Sequence, residues 1–363
     1  MQHLVSSTLG NLVKTLFLRF LKLFYSIGGV MCIFLLAACS GTEGDSGADV
    51  EQTQSETATP EKSQTEEAEK PTSFDSYEDY IDYIADVPNF EPYYKTVFAF
   101  EELSNGVTDV PIEEVKAMYD EMKTAFDYVL VSENPLFYRG KYDGDPSFVD
   151  GYEEYLAADP KMKTQNPINM VSFDWEGKEI MTTPLKTVLL GESVFNRFDD
   201  SIEEGRNLQI SDFTLKEPDE PISIVLGNAY KEIYKIGDII PLELISEVMN
   251  FKVVGFYKAN VGFSMDVGAL HTMNFDHTIV MPYFIPEYEP VGEAAVFQHA
   301  FHIAELTSGY IKIPEKVEEI NEDTFDDTEI KVEEIAERND LSGFYKIPFW
   351  PVGFVWETDG IGY

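Results

Sequence analysis

Cysteine is almost absent from the 363 residues, which contain only Cys32 and Cys39. Two thiols so near the start supply no disulfide framework for the body of the chain, which must rely on its core. Basic residues are also scarce: 26 Lys and Arg face 66 Asp and Glu, for a formal net charge of −40. Residues 1–40 contribute +3, residues 41–75 contribute −8, and the remainder carries −35, so the body is acidic as well as the tail. Such a charge repels phosphates, which argues against nucleic acid and against docking flat on anionic lipid. No glycine-rich phosphate loop and no Gly-x-Ser-x-Gly elbow occurs, so an ATPase within this chain and an elbow-type serine hydrolase are not expected.

The first 22 residues carry Lys14, Arg19 and Lys22 with no acid, a low-polarity run follows from Leu23 to Ala38, and Ser40-Gly41-Thr42-Glu43 comes next. A positive flank, an apolar stretch and small residues before a cut site make the pattern of a secretory signal. The run is short of the ~20 apolar residues needed to cross a ~30 Å hydrocarbon core. Its Gly28 and Gly29 each weaken a helix interior by roughly 1 kcal/mol. It ends in Leu36-Ala37-Ala38-Cys39, which resembles the lipobox of bacterial lipoproteins. The resemblance implies that Leu36 is the apolar recognition residue, that Ala37 and Ala38 flank the cut, and that Cys39 becomes a diacylglyceryl-modified N-terminus. Residues 1–38 are then a signal peptide, and the mature chain is lipid-anchored on the extracytoplasmic face of the cell membrane, as in many Gram-positive surface proteins. An uncleaved membrane anchor with a chance cysteine is the alternative.

Residues 39–75 are rich in Glu, Gln, Ser, Thr and Gly, and no aromatic residue precedes Phe74 in this stretch. Too little apolar surface is available to offset chain entropy, so the stretch reads as an acidic disordered linker. Residues 76–363 read as the folded body. Helical periodicity is expected at Tyr77–Ile84, from about Pro111 to Asp127, and from Glu293 to Thr307 with Gly309 as the stop. Further helical segments are expected with Pro314 and Thr328 near their starts. Strands are expected at Tyr128–Val131, Ile222–Leu226, Ile239–Ile245, Phe251–Tyr257, His277–Met281, Tyr310–Ile313 and Phe344–Ile347. Helices and strands do not alternate strictly, which makes the class α+β.

Five elements in the middle of the chain occur in a telling order. They are Glu204-Gly205-Arg206-Asn207-Leu208 with Asp212; Ile224-Val225-Leu226-Gly227 with Ala229, Ile233 and Tyr234; Ile236-Gly237-Asp238-Ile239-Ile240; Phe251-Lys252-Val253-Val254-Gly255-Phe256; and Asp276 with Ile279-Val280-Met281-Pro282. Together they resemble the extracytoplasmic core domain of MacB/FtsX-type ABC transporter permeases. The resemblance implies two strand-helix-strand segments, here near 111–131 and 308–347, packed together beside a β-rich insert, here 171–290. It also implies work alongside a permease and its ATPase. A permease of this type continues into three further membrane helices, and no stretch between Tyr288 and Tyr363 is apolar for long enough. A detached, non-catalytic accessory domain is therefore expected. The elements also have local roles: Gly227 turns a buried strand, Gly237-Asp238 makes a tight turn, and Arg206 pairs with a carboxylate.

The strongest candidate for site chemistry is His299, His302 and Glu305, spaced i, i+3, i+6 on one expected helix. Two imidazoles a turn apart with a carboxylate suit zinc or a similar ion. A half-buried helix whose histidines hydrogen-bond locally is the plainer explanation. Asp143 and Asp145 resemble the start of a calcium loop without its closing Glu. Glu153/Glu154 and Glu333/Glu334 are adjacent pairs and suit solvent. Three functions thus stand open: an exporter accessory domain, a surface solute- or peptide-binding lipoprotein sharing only the fold, and a metal-dependent enzyme built on the His299 cluster.

Overall fold

The computed structural model describes residues 77–98, 110–152, 168–174, 177–266, 270–292, 294–314, 316, 319–348 and 351–357. All belong to one compact unit within 68–363. The lipobox at Leu36–Cys39 and the linker 39–75 lie outside the described residues.

Among the described residues the α-helices are α1 (Tyr77–Ala85), α2 (Ile112–Ala125), α3 (Ala295–Thr307) and α4 (Glu322–Arg338). One sheet takes its centre from both ends of the body: β1 (Glu91–Lys95), β3 (Tyr128–Val129), β18 (Tyr310–Lys312) and β20 (Val352–Glu357), with β2 (Val97–Phe98) just after β1. Its order is β20-β1-β18-β3, every neighbour antiparallel, and β14 (Gly262–Asp266) and β15 (Leu270–Asn274) extend it beyond β20. Helix α2 joins β1 to β3, and α4 joins β18 to β20. Two strand-helix-strand units interleaved in this way form a split βαβ sheet. In that arrangement a hairpin joins the two inner units. Here the whole stretch from Leu130 to Gly309 takes its place.

Most of that stretch builds a second sheet. Its strands are β4 (Val131–Glu133), β5 (Leu136–Arg139), β6 (Met170–Phe173), β7 (Glu179–Leu185), β8 (Thr187–Leu190), β9 (Ile202–Gly205), β11 (Ile222–Leu226), β12 (Ile239–Leu244), β13 (Glu247–Tyr257) and β16 (Ile279–Pro282). The short pairs β10 (Thr214–Leu215) with β17 (Ile285–Pro286), and β19 (Tyr345–Lys346) with β2, stand apart. The pairings run β8-β16-β11-β13-β12-β5-β7, and β7 continues into β8 while β4 pairs back on β8. The sheet therefore curls into a ring, as strands must when bent segments pair at both ends. Leu242, Leu244, Phe251, Val253, Ile224, Leu226 and Met281 are buried along its strands.

An aromatic chain ties ring to split sheet. Phe354 stacks on Trp356 at 4.7 Å, Phe263 lies 6.0 Å from Phe275, and Phe275 lies 5.1 Å from both Tyr257 and Phe198. Each fully buried ring removes on the order of 150–250 Å² from water, which suits an acidic chain whose core must do without disulfides.

The class is α+β. The stretch 171–290 does not coincide with one sheet: residues 131–139 join the ring, while β14 and β15 join the split sheet. The expected strand Tyr128–Val131 is cut at Leu130, where the chain changes sheets. Leu130 instead accepts the Gly191 amide at 2.8 Å. The helical segment expected near Thr328 is α4, which begins earlier, at Glu322, capped by Asn321, whose side chain accepts from Thr324 N–H at 3.2 Å; much of the segment expected after Pro314 lies outside the described residues. Thr328 sits inside that helix, bonded to Thr324 O. Gly309 does not stop α3 with a left-handed turn. It is required because a Cβ there would lie 2.3 Å from the Tyr128 ring.

Candidate functional site

Helix α3 places the three expected ligands. Its buried side includes a polar stripe beside Phe301, Ile303 and Leu306: Gln298, His302 and Glu305 follow at i, i+4 and i+7 and all face the protein interior. Gln298 donates through Nε2 to the carbonyls of Leu244 at 2.7 Å and Ile245 at 2.9 Å, clamping the tip of the β12–β13 hairpin. That tip needs the clamp, because Ile245 and Ser246 both hold positive φ, 46° and 64°. A β-branched residue is strained there.

His299 turns away from this stripe, and its Nε2 donates to Val110 O at 3.0 Å, just before α2. His302 lies edge-on to Phe284 and Phe301, with ring centroids 5.4 and 5.3 Å away. Burial, with Lys116 and His299 adding to it, pushes its imidazole down to about 3 and keeps it neutral. Glu305 is 9% exposed, and its Oε1 accepts Asn134 Nδ2 at 3.3 Å and Ser132 Oγ at 3.4 Å. Its Oε2 is buried and has no hydrogen-bond partner among the described residues. Burial pushes the Glu305 carboxyl up to about 7, against those hydrogen bonds. Tyr283 O–H donates to the Glu305 carbonyl at 2.7 Å and fixes the helix against β16 and the residues that follow it.

The three side chains thus have three different surroundings: a backbone carbonyl, an aromatic cage and a pair of neutral donors. Among the described residues no group of three or more His, Cys, Asp or Glu is placed to hold a metal ion. The sequence spacing put them on one helix, but the helix meets three different partners across its width. Asp145 likewise caps a short helical turn, accepting Ser147 N–H and O–H at 2.9 Å. Asp143 pairs with Lys141. Glu153 and Glu154 lie outside the described residues.

The second candidate region is the wall of the ring that gathers the five ordered elements. Strands β9, β13, β11 and β16 are neighbours there. Arg206 makes a two-pronged pair with Asp212, Nη1 to Oδ2 at 2.6 Å and Nη2 to Oδ1 at 3.1 Å. Asp212 also accepts the Gln209 amide, closing the loop after β9. Burial opposes ionisation of Asp212, but Arg206 and Ser223 outweigh it and lower its carboxyl below the ordinary range. Three glycines allow backbones to cross. A Cβ on Gly255 would sit 2.1 Å from Arg206 O, one on Gly205 2.3 Å from Val254 O, and one on Gly227 1.7 Å from Phe275 O.

No protein-family model matches the chain, and no curated protein matches it. Among the described residues no helix is long and apolar enough to cross a membrane.

Proposed function

We propose that this protein is a lipid-anchored extracytoplasmic accessory domain of a MacB/FtsX-type exporter system. In this reading it binds a permease that works with a separate ATPase, and it catalyses nothing itself. The observation that carries the reading is the spatial meeting of the five ordered elements on one wall of the ring, locked by Arg206–Asp212 and by three glycine crossings. A split βαβ sheet and a β-rich ring, between which the chain crosses at Leu130, between Tyr257 and Gly262, between Asn274 and Ile279, and near Gly309, suit a part that passes motion rather than one that encloses a substrate. The mutually separate surroundings of His299, His302 and Glu305 favour this reading over a metal enzyme.

The anchor is tested by Cys39→Ser. Metabolic labelling with palmitate is expected to mark the parent and not the variant, and the variant is expected to keep its signal segment. Labelling that survives the substitution, or a mature N-terminus elsewhere, would remove the anchor from the account.

A further inference from the structure

Among the described residues, strand β6 is the outer edge of the ring sheet, with β7 as its one neighbour. Edges of natural sheets are usually guarded by charge, proline or a bulge, because their unpaired amides and carbonyls invite another strand. This edge, Met170-Val171-Ser172-Phe173, has none of these guards. The chain contains no charged residue from Thr164 through Phe173, although its net charge is −40.

The backbone register fixes which groups point outward. Asp174 N–H donates to Lys178 O at 3.0 Å, so in the β6–β7 ladder positions 174, 172 and 170 bond inward. Met181, opposite Val171, instead gives its carbonyl to Gly140 N–H on the β5 side at 2.8 Å. Val171 and Phe173 therefore turn their N–H and C=O groups to the free edge. The same two residues expose their side chains, 57% and 66%, on one face together with Met181 at 44%. Surface leucines and valines scattered singly mean little, but three on one face beside an open backbone edge form a patch.

We infer that β6 pairs antiparallel with β6 of a second copy of this chain, about a twofold axis at Ser172. This axis sets Val171 opposite Phe173 of the partner copy twice over, so both outward backbone pairs are satisfied and the apolar side chains meet across the seam. Position 174 falls opposite position 170, so Asp174 faces a methionine and no carboxylate faces another. Two strongly acidic chains can approach along this strand because residues 164–173 carry no charge of their own. A heterologous strand would need its own matching register, whereas the twofold supplies the match from one sequence. The two Ser172 residues become a directly opposed, non-hydrogen-bonded pair with Cα atoms ~4.5 Å apart, within reach of a disulfide.

The test is oxidative cross-linking of the full chain in intact cells carrying Ser172→Cys. A covalent dimer is expected, with mass spectrometry finding the two substituted positions joined to each other. Met170→Cys is the register control and is expected to give little dimer, since position 170 faces 174. Adding Phe173→Lys to Ser172→Cys is expected to reduce the dimer at least tenfold. Absence of a dimer at 172, equal linkage at 170 and 172, or a dimer undiminished by Phe173→Lys would each overturn the inference. Sedimentation of the purified detergent-solubilised parent gives a second reading: the dimer fraction should rise with concentration, and Phe173→Lys should weaken it.

Discussion

Arg197, on the ring side, reaches the carboxylate of Glu91 in β1 at 3.3 Å while its guanidinium lies 4.8 Å over the Trp356 ring. The same carboxylate accepts Tyr93 O–H at 2.7 Å, Lys312 Nζ at 3.0 Å and Trp356 Nε1 at 3.2 Å. One side chain thus joins three strands of the split sheet to the inserted ring. Burial alone would raise the Glu91 carboxyl, but Tyr93, Lys312 and Arg197 outweigh it and hold it at about 2.

Because this folded value lies below the ordinary 4.5, Glu91 stabilises the protein fully above pH 4.5 and loses that contribution as pH falls toward 2. Glu91→Gln is expected to be less stable than the parent at pH 7, with the gap closing on acidification. Urea denaturation between pH 7 and 3 measures it, and a gap independent of pH would contradict the assignment.

Glu305 has the opposite sign. Its folded value of about 7 lies above the ordinary 4.5, so stability falls as pH rises through this window. The fall is on the order of 3 kcal/mol for a fully buried group with such a shift. Glu305→Gln is expected to remove the fall between about pH 4.5 and 7, whatever its absolute stability. An unchanged slope would show that the carboxyl titrates normally.

The glycine crossings predict a graded series. Gly227→Ala and Gly255→Ala force a Cβ into a backbone carbonyl and are expected to cost at least ~3 kcal/mol. Gly237→Ala meets no atom and suffers only from its φ of 93°, at about 1 kcal/mol. Thermal unfolding of the three variants orders them. Equal losses would mean that close approach is not what these positions require.

The helices were largely legible. Pro111 with Glu113 and Glu114 marked the start of α2, and Val115, Tyr119 and Met122 are buried on it as their spacing predicts. The strand Ile222–Leu226 coincides with β11 because a β-branched run between turn residues has little alternative. Strands β7 and β8 were not singled out within the β-rich stretch, since Pro184 interrupts the run; Thr182 and Thr183 are nonetheless buried and Pro184 pairs with Phe137. The turn at Ile245-Ser246 escaped for a related reason: neither residue favours positive φ, and the Gln298 clamp that compensates is more than fifty residues away in sequence. The divergence of His299, His302 and Glu305 depends on Val110, Phe284 and Asn134, none of them on α3. Spacing along one helix carries no information about such partners.

The central claim, that this domain serves an exporter, is tested most directly by chemical crosslinking in intact cells followed by mass spectrometry of the purified chain. The expected result is a link between residues of the 76–363 body and the extracytoplasmic part of a MacB/FtsX-type permease. The contact should weaken as salt rises, because an acidic surface seeks a basic patch. Recovery of other lipoprotein contacts with no transporter subunit among them would contradict the account.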